Sequence, residues 1–257
     1  MKLKKNNKKI VPLISIITVV KNEKNNLLKT IKSIKKLKFN NFEHIIIDGK
    51  STDGTIDILK KQKDKNIKWI SKKDKNLWDA MNRGIKLSKG QIIGILNSGD
   101  IFYPNALRIV KKYFEKKKID FFFGSVKKVK IYSGFEPEKI NYRFNIWPSH
   151  SASFFITRRA QKKVGYYDTY IKFCADYDLF YRMIVKFRMK GVSSKRSEVL
   201  GKFDLNGVSS KINFFKVCYY ESLVRYKNGQ NLFFLILLFL INLLNKLKNL
   251  ILPKKNN

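Results

Sequence analysis

The strongest constraint on this chain is a repeated alternation near its start: short β-branched runs, each followed by residues at helical spacing. Residues 13–20 (LISIITVV) form a nearly continuous apolar run, the pattern of a strand buried on both faces of a parallel sheet. Leu27, Ile31, Ile34 and Leu37 then recur at helical spacing with lysines opposite them. Phe42–Asp48 (FEHIIID) is a second such run and ends on a carboxylate; a turn, Ser51-Thr52-Asp53-Gly54, leads to a helix expected over 55–63. Ile67–Ser71 reads as a strand, 75–87 as a helix, 91–96 (QIIGIL) as a strand and 104–117 as a helix with Pro104 in its first turn. A fifth strand is expected over 119–126. Strands alternating with helices imply βαβ units, a parallel sheet and right-handed crossovers. In such sheets ligands sit beyond the carboxyl ends of the strands, where Asp48 and Asp100 fall.

At 257 residues and 44% hydrophobic composition the chain can bury one large core. Its formal charge of +36 invites a polyanion, but 46 of the 55 cations are lysines spread along the whole chain. Base reading relies on arginine, and the nine arginines are scattered, so nucleic acid is not expected as a partner. Compositional drift accounts for the lysines, with a preference for anionic membrane surfaces as a secondary effect. Cys174 and Cys218 lie in no CxxC motif, and a reducing compartment fits. Residues 1–10 are basic without the apolar run of a signal peptide, so a cytoplasmic placement is expected.

The last forty residues differ in kind. The uninterrupted apolar run 232–241 is too short to cross a bilayer core of about 30 Å, which takes roughly 20 residues. Extending it to Leu252 brings in Asn242, Asn245, Lys246, Lys248 and Asn249. A helix lying in the membrane interface, or a hairpin docked on one leaflet, is expected, with packing on the domain as the alternative.

Three carboxylate sites stand out. The segment from Asp48 to Gly54 reads either as a strand end with a Gly turn or as a loop that binds a base or ribose. Asn97-Ser98-Gly99-Asp100 ends another strand, where a hard cation on a diphosphate would need an oxygen ligand. Asp176 opens a helix expected to run to about Phe187, either as a cap or as a general base. Asp178 is spaced to pair with Arg182.

In this order and on these elements the segments resemble the family-2 glycosyltransferases of the GT-A fold. The matching stretches are PLISIITVVKNE (12–23), IIIDGKSTDGT (45–55), SKKDKNLWDAMNRGI (71–85), GQIIGILNSGD (90–100), HSASFFITRR (150–159) and CADYDLFYRM (174–183). The branch that builds bacterial surface polysaccharides looks most similar. The resemblance implies an α/β fold, a GT-A-like, Rossmann-type, mostly parallel sheet flanked by helices, followed by the apolar helical tail. It implies a catalytic domain over 11–210 with a nucleotide-sugar half to about 126 and an acceptor half from about 127, flanked by the basic extension 1–10 and by a tail over 211–257 whose composition suggests membrane association.

The resemblance places Thr18, Asn22, Glu23 and Asp48 at the base and ribose, and Asp74, Asn82 and Arg83 in the segment closing on the nucleotide. It makes Asp100, with Asn97 beside it, the ligand of Mn²⁺ or Mg²⁺, and Asp176 the base that deprotonates the acceptor. Arg158 is expected near the diphosphate, and His150, Trp147 and Asp178 on the acceptor side. The expected donor is a UDP-sugar, the acceptor a lipid-linked or surface glycan, and the place of work the inner face of the bacterial plasma membrane. Gly99 departs from the family, since many members carry a second Asp there, so part of the metal shell or the ribose contact must come from elsewhere, such as Asn97 or water. Ala175 likewise replaces a frequent acidic residue. No Gln-x-x-Arg-Trp follows, which favours addition of a single sugar over processive synthesis. A nucleotidyltransferase on a related fold and a basic nucleic-acid-binding protein are the rival readings.

Overall fold

A computed structural model describes residues 12–143, 146–205 and 213–251. The basic extension 1–10 and the terminal Lys254 and Lys255 lie outside the described residues. The chain runs β1 (Ile14–Val20), α1 (Lys24–Lys35), β2 (Phe42–Asp48), α2 (Thr55–Lys60), β3 (Ile67–Ser71), α3 (Leu77–Leu87) and β4 (Ile92–Ile95). It continues through β5 (Ile101–Phe102), α4 (Ala106–Lys116), β6 (Phe121–Phe123), β7 (Ser125–Lys127), β8 (Ile131–Tyr132) and β9 (Phe154–Thr157). Then follow α5 (Arg158–Val164), α6 (Ala175–Tyr181) with a π-helical extension Arg182–Lys186, β10 (Gly191–Ser193), β11 (Val199–Lys202), α7 (Phe214–Lys227) and α8 (Leu232–Ile251).

Seven strands form the main sheet in the order β10-β6-β9-β4-β1-β2-β3, and β9 alone runs against the others. All seven residues of β1 and of β2 are buried, as expected for strands covered on both faces. Parallel register brings Val20 beside Asp48 and Asp48 beside Ser71, so these strand ends form one level edge. Alternating side chains feed two cores. Ile17, Val19, Phe121 and Phe123 face α3 and α6, whereas Ile16 and Phe122 pack with α4 and the second sheet.

Helix α3 starts two residues later than its periodicity suggests, because the Asn76 side chain caps it, accepting from Trp78 N and Asp79 N at 3.1 Å. Helix α2 stops at Lys60. The expected strand 119–126 is two strands, because the chain leaves the main sheet at Gly124 and enters a second, four-stranded sheet ordered β5-β11-β7-β8. That transfer is a tertiary event with no local period to announce it.

The second sheet depends on close backbone approach. Gly201 in β11 pairs with Phe102 in β5, and a Cβ at Gly201 would lie 2.0 Å from the Ile101 carbonyl oxygen. Backbone rather than a flexible side chain blocks that space, so the strand cannot yield cheaply. Gly201→Val should therefore destabilise the protein by about 1–3 kcal/mol, the usual range for overpacking, read as a lower midpoint in chemical denaturation.

Candidate active site

The carboxyl edge of β1 and β2 is stitched by side chains. Asn22 sits in the left-handed region at φ 53°, its Oδ1 accepts from Thr52 N at 2.7 Å, and its own N–H donates to Ser51 Oγ at 2.8 Å. Glu23 lies half-buried just before α1. Asp48 is fully buried. Its Oδ2 accepts from Ser71 Oγ at 2.6 Å and Ser51 N at 3.2 Å, while its Oδ1 has no hydrogen-bond partner. A buried carboxylate oxygen left unpaired is costly unless something else donates to it. Nearby, Asp74 pairs with Arg83 at 2.5 Å, and Arg83 also approaches Asp79 at 3.5 Å. Burial pushes the Asp74 carboxyl up against the pull of Arg83, and the charges of Asp79 and Asp48 push the same way.

Asp100 closes the β4 loop, and its side chain is spent on two distant segments. Ser151 Oγ donates to Oδ2, and the Asp204 N–H donates to Oδ1 at 2.7 Å. Thr30 Oγ1 donates to the Asp100 carbonyl at 2.8 Å and accepts from Gly99 N at 3.0 Å, fixing the loop against α1. Burial pushes the Asp100 carboxyl up to about 7, and the neighbouring Asp204 charge adds to the shift while Ser151 and the Asp204 N–H oppose it. Beside it, Asn97 Oδ1 and Ser98 Oγ are buried without hydrogen-bond partners.

The residue next to Ser151 leads to the third carboxylate. His150 is buried, its Nε2 lies 2.7 Å from Tyr167 Oη, and burial lowers its pKa to about 3, so the ring is neutral. Asn82 on α3 grips the Tyr167 backbone twice, donating to its carbonyl at 2.8 Å and accepting from its N–H at 2.9 Å. Trp78 Nε1 donates to the Lys172 carbonyl at 3.1 Å, which ties the following loop to the same helix. The loop ends at Cys174 in the left-handed region, φ 63°, and delivers Asp176 into the first turn of α6. Asp176 Oδ1 accepts from Tyr177 N at 2.9 Å, and burial pushes its carboxyl up to about 6. Among the described residues it makes no ion pair. Its charge also reaches Tyr167, whose phenol burial pushes well up.

Several expected positions need correction. Thr18 does not line the cleft, because it is fully buried within the sheet, donating to the Leu96 carbonyl at 2.7 Å and lying 2.9 Å from His44 Nε2. Asn82 does not reach toward a nucleotide, since both ends of its amide are committed to Tyr167. Arg158 is at the wrong end of the sheet for a diphosphate. Antiparallel β9 carries it to the amino end of β4, where its Nε donates to the Gly90 carbonyl at 2.8 Å. Asp178 is buried away from any acceptor, held by Arg182 Nε at 2.9 Å and Asn228 Nδ2 at 3.0 Å. Trp147, half-buried, stacks on Phe123 and meets Phe180 edge-on at 4.5 Å, so much of its surface belongs to the core. Ser151 and Tyr167 were not singled out from sequence. Ser151 stands beside His150 within the stretch 150–159, and Tyr167 lies in the loop before Asp176, where only its aromatic neighbours Tyr166, Tyr170 and Phe173 set the sequence apart.

The model for glycosyl transferase family 2 matches residues 15–177, well over half of the chain. The chain belongs to glycosyl transferase family 2. A glycosyltransferase of Rickettsia bellii is 36% identical over 90 residues, which is 35% of this chain but only 13% of the relative's length. Escherichia coli WfaP, a UDP-Glc:α-D-GlcNAc-diphosphoundecaprenol β-1,3-glucosyltransferase, is 32% identical over 109 residues, 40% of this chain and 43% of WfaP. Among solved structures, Staphylococcus aureus TarS 1–349 superposes with a TM-score of 0.67 at 15% identity over 94% of this chain and 75% of TarS. Its complex with UDP-GlcNAc gives 0.65. The mannosyltransferase PcManGT of Pyrobaculum calidifontis, solved with GDP-Man and Mn²⁺, gives 0.61 at 14% identity over 82% of this chain and 61% of PcManGT. These similarities confirm the GT-A fold for this family-2 glycosyltransferase, and β1, β2 and β4 present their carboxyl ends as a doubly wound sheet does.

The Asp178–Arg182 pair holds α6 to the loop before it, because Arg182 also donates to the carbonyls of Val164 and Tyr166. Asp178→Ala would leave a largely buried guanidinium without its anion. It should cost about 3–5 kcal/mol, the range for breaking a buried pair, visible as a lower thermal midpoint.

Proposed function

We propose that the chain transfers a single sugar, with inversion, from a UDP-sugar to a hydroxyl of a lipid-linked or surface-glycan acceptor at the membrane. The observation that carries this reading is Asp176, a carboxylate at the start of α6 with no ion-pair partner among the described residues and a pKa raised by burial toward neutrality. A general base works best when its pKa lies near the operating pH. The complex of TarS with UDP-GlcNAc and the UDP-glucose donor of WfaP support a uridine nucleotide, and WfaP's diphosphoundecaprenol-linked substrate supports a lipid-linked acceptor.

Each carboxylate takes a separate task in this proposal. Asp48 offers its unpaired Oδ1 to a donor group of the base or ribose. Asp74, Arg83, Asn22 and Glu23 shape the same edge. A divalent cation is implied by the fold family, and PcManGT was solved with Mn²⁺. The donors around Asp100 fit one: they are all oxygens, and Asn97 Oδ1 and Ser98 Oγ lie buried and unpartnered beside it. When bound, such an ion offsets charge growing on the leaving diphosphate. Asp176 takes the acceptor proton, and attack on the face opposite the diphosphate inverts the anomeric carbon. The hydrogen bond between neutral His150 and the Tyr167 hydroxyl braces the loop that leads into Asp176, which supports this role for it.

The tail supports a membrane placement. No helix of the described residues is long and apolar enough to cross a membrane. Helix α8 buries Leu235 but exposes Leu232, Phe233, Ile236, Leu237, Leu240, Ile241, Leu244 and Leu247. A contiguous apolar face of that size marks an interaction surface, and Lys246 and Lys248 suit an anionic leaflet.

A thermal-shift screen of sugar nucleotides on the full chain identifies the donor, and transfer is then followed with that donor. Asp176→Asn should retain donor binding and lose transfer by at least about 10²-fold, the usual contribution of a general base. The base acts deprotonated and its pKa is raised, so native kcat/KM should fall as pH drops through about 6. Unchanged turnover in Asp176→Asn, or a pH profile flat from 5 to 8, refutes the assignment. For the tail, replacing Phe233, Leu237, Leu240 and Leu244 with serine should release the protein from anionic vesicles in flotation. Equal flotation of the variant refutes the membrane placement.

A further inference from the structure

Gly99 lies in the loop after β4, next to Asp100, and the space beside it is already filled. The residue has φ +95°, and a Cβ built on it would fall 2.6 Å from Asp204 Oδ2 and 3.3 Å from Asp204 Cβ and Cγ. The Asp204 carboxylate therefore lies over the point from which a side chain at position 99 would emerge. Its placement is fixed from behind by its own N–H, which donates to Asp100 Oδ1 at 2.7 Å. We propose that Asp204 supplies the second carboxylate of the divalent-cation site and binds the ion together with Asp100.

This rests on the reading that the Asn97–Asp100 loop holds a cation on the donor diphosphate. Two aspartates meet the needs of such a site. Among the described residues no three His, Cys, Asp or Glu side chains gather into one metal cluster. Mg²⁺ and ions like it use one or two carboxylates and complete their shell with phosphate and water oxygens. Both Asp100 oxygens already accept hydrogen bonds, yet each carboxylate oxygen has further lone-pair capacity. Glycine at position 99 is then required twice, for the positive φ and for the room that Asp204 fills. The carboxylate beside position 99 is instead delivered from 105 residues later in the chain, by the exit of β11. Ion binding would thereby cross-link two distant segments.

The test measures Mn²⁺ binding to the full chain by titration calorimetry, with UDP present as the probe. Asp204→Asn keeps the backbone N–H and the side-chain shape. It should weaken Mn²⁺ binding by at least about tenfold, the scale on which metal sites respond to loss of supporting groups. In EDTA, where no ion can bind, the melting temperature should stay as in the native chain. Asp204→Asn binding Mn²⁺ as tightly as native, while Asp100→Asn loses it, overturns the role of Asp204 and leaves the metal site standing. Absence of Mn²⁺ binding by the native chain with UDP overturns the metal reading itself, and the proposal with it. A second measurement needs no variant. Fe²⁺ placed in the native site with ascorbate and peroxide should cleave the backbone near both residues 97–100 and residue 204. Cleavage near 97–100 alone overturns the proposal.

Discussion

The hydrogen bonds to the Asp100 carboxyl group join three segments of the chain that are far apart in sequence. One oxygen is bonded to Ser151, which precedes β9, and the other to the backbone of Asp204, which follows β11, while the residue itself ends the loop after β4. Three segments far apart in sequence therefore converge on one buried side chain. A polar side chain buried without hydrogen-bond partners costs about 1–3 kcal/mol, so these bonds are what lets the Asp100 carboxyl group sit inside the protein. Ser151 extends the connection, because it also accepts from Asn97 N at 2.7 Å. The adjacent His150 then reaches Tyr167, so the β4 loop and the wall beside α6 share a single stretch of chain.

Helix α6 is fixed from the other side by α7. Asn228, at the end of α7, donates to Asp178, and Arg225 lies 5.3 Å from the centre of the Tyr177 ring, whose hydroxyl donates to the Ile140 carbonyl at 2.8 Å. Buried cation–π contacts of this kind contribute about 2 kcal/mol when desolvated. From α3, Asn82 and Trp78 hold the loop that enters α6. A short helix of seven residues has little stability of its own, so its position comes from these contacts.

What could be read from sequence was whatever had a local period. The strands Phe42–Asp48 and Ile67–Ser71 are observed with the bounds their β-branched runs suggest, and the carboxylates at strand ends follow from those bounds. The pairing of Asp178 with Arg182 was legible because it needs only helical spacing. Strand direction was not. Nothing in the run FFIT says that β9 opposes its neighbours, and that reversal is what removes Arg158 from the site. Thr18 failed for a related reason: in a strand buried on both faces a polar side chain turns inward and finds a partner there, here the Leu96 carbonyl. The break at Gly124 and the contact between Gly99 and Asp204 are long-range events, and a single sequence carries no trace of which distant side chain will arrive.

The reversed strand also partitions the molecule. Because β9 enters at the edge where β1, β2 and β4 end and leaves at the opposite edge, the peptides on its two flanks lie on opposite sides of the sheet's long axis, Ser151 at the cleft and Arg158 away from it. The loops after β1, β2 and β4 all come from the first hundred residues, whereas the wall formed by His150, Tyr167 and Asp176 comes from later ones. The hydrogen bonds within the early set, among Asn22, Ser51, Thr52, Asp48 and Ser71, involve no residue of the later set. The edge formed by β1 and β2 is thus self-contained, whereas the loop after β4 is tied to Ser151 and Asp204, so a change in the later wall would reach the Asp100 loop before it reached the Asp48 edge.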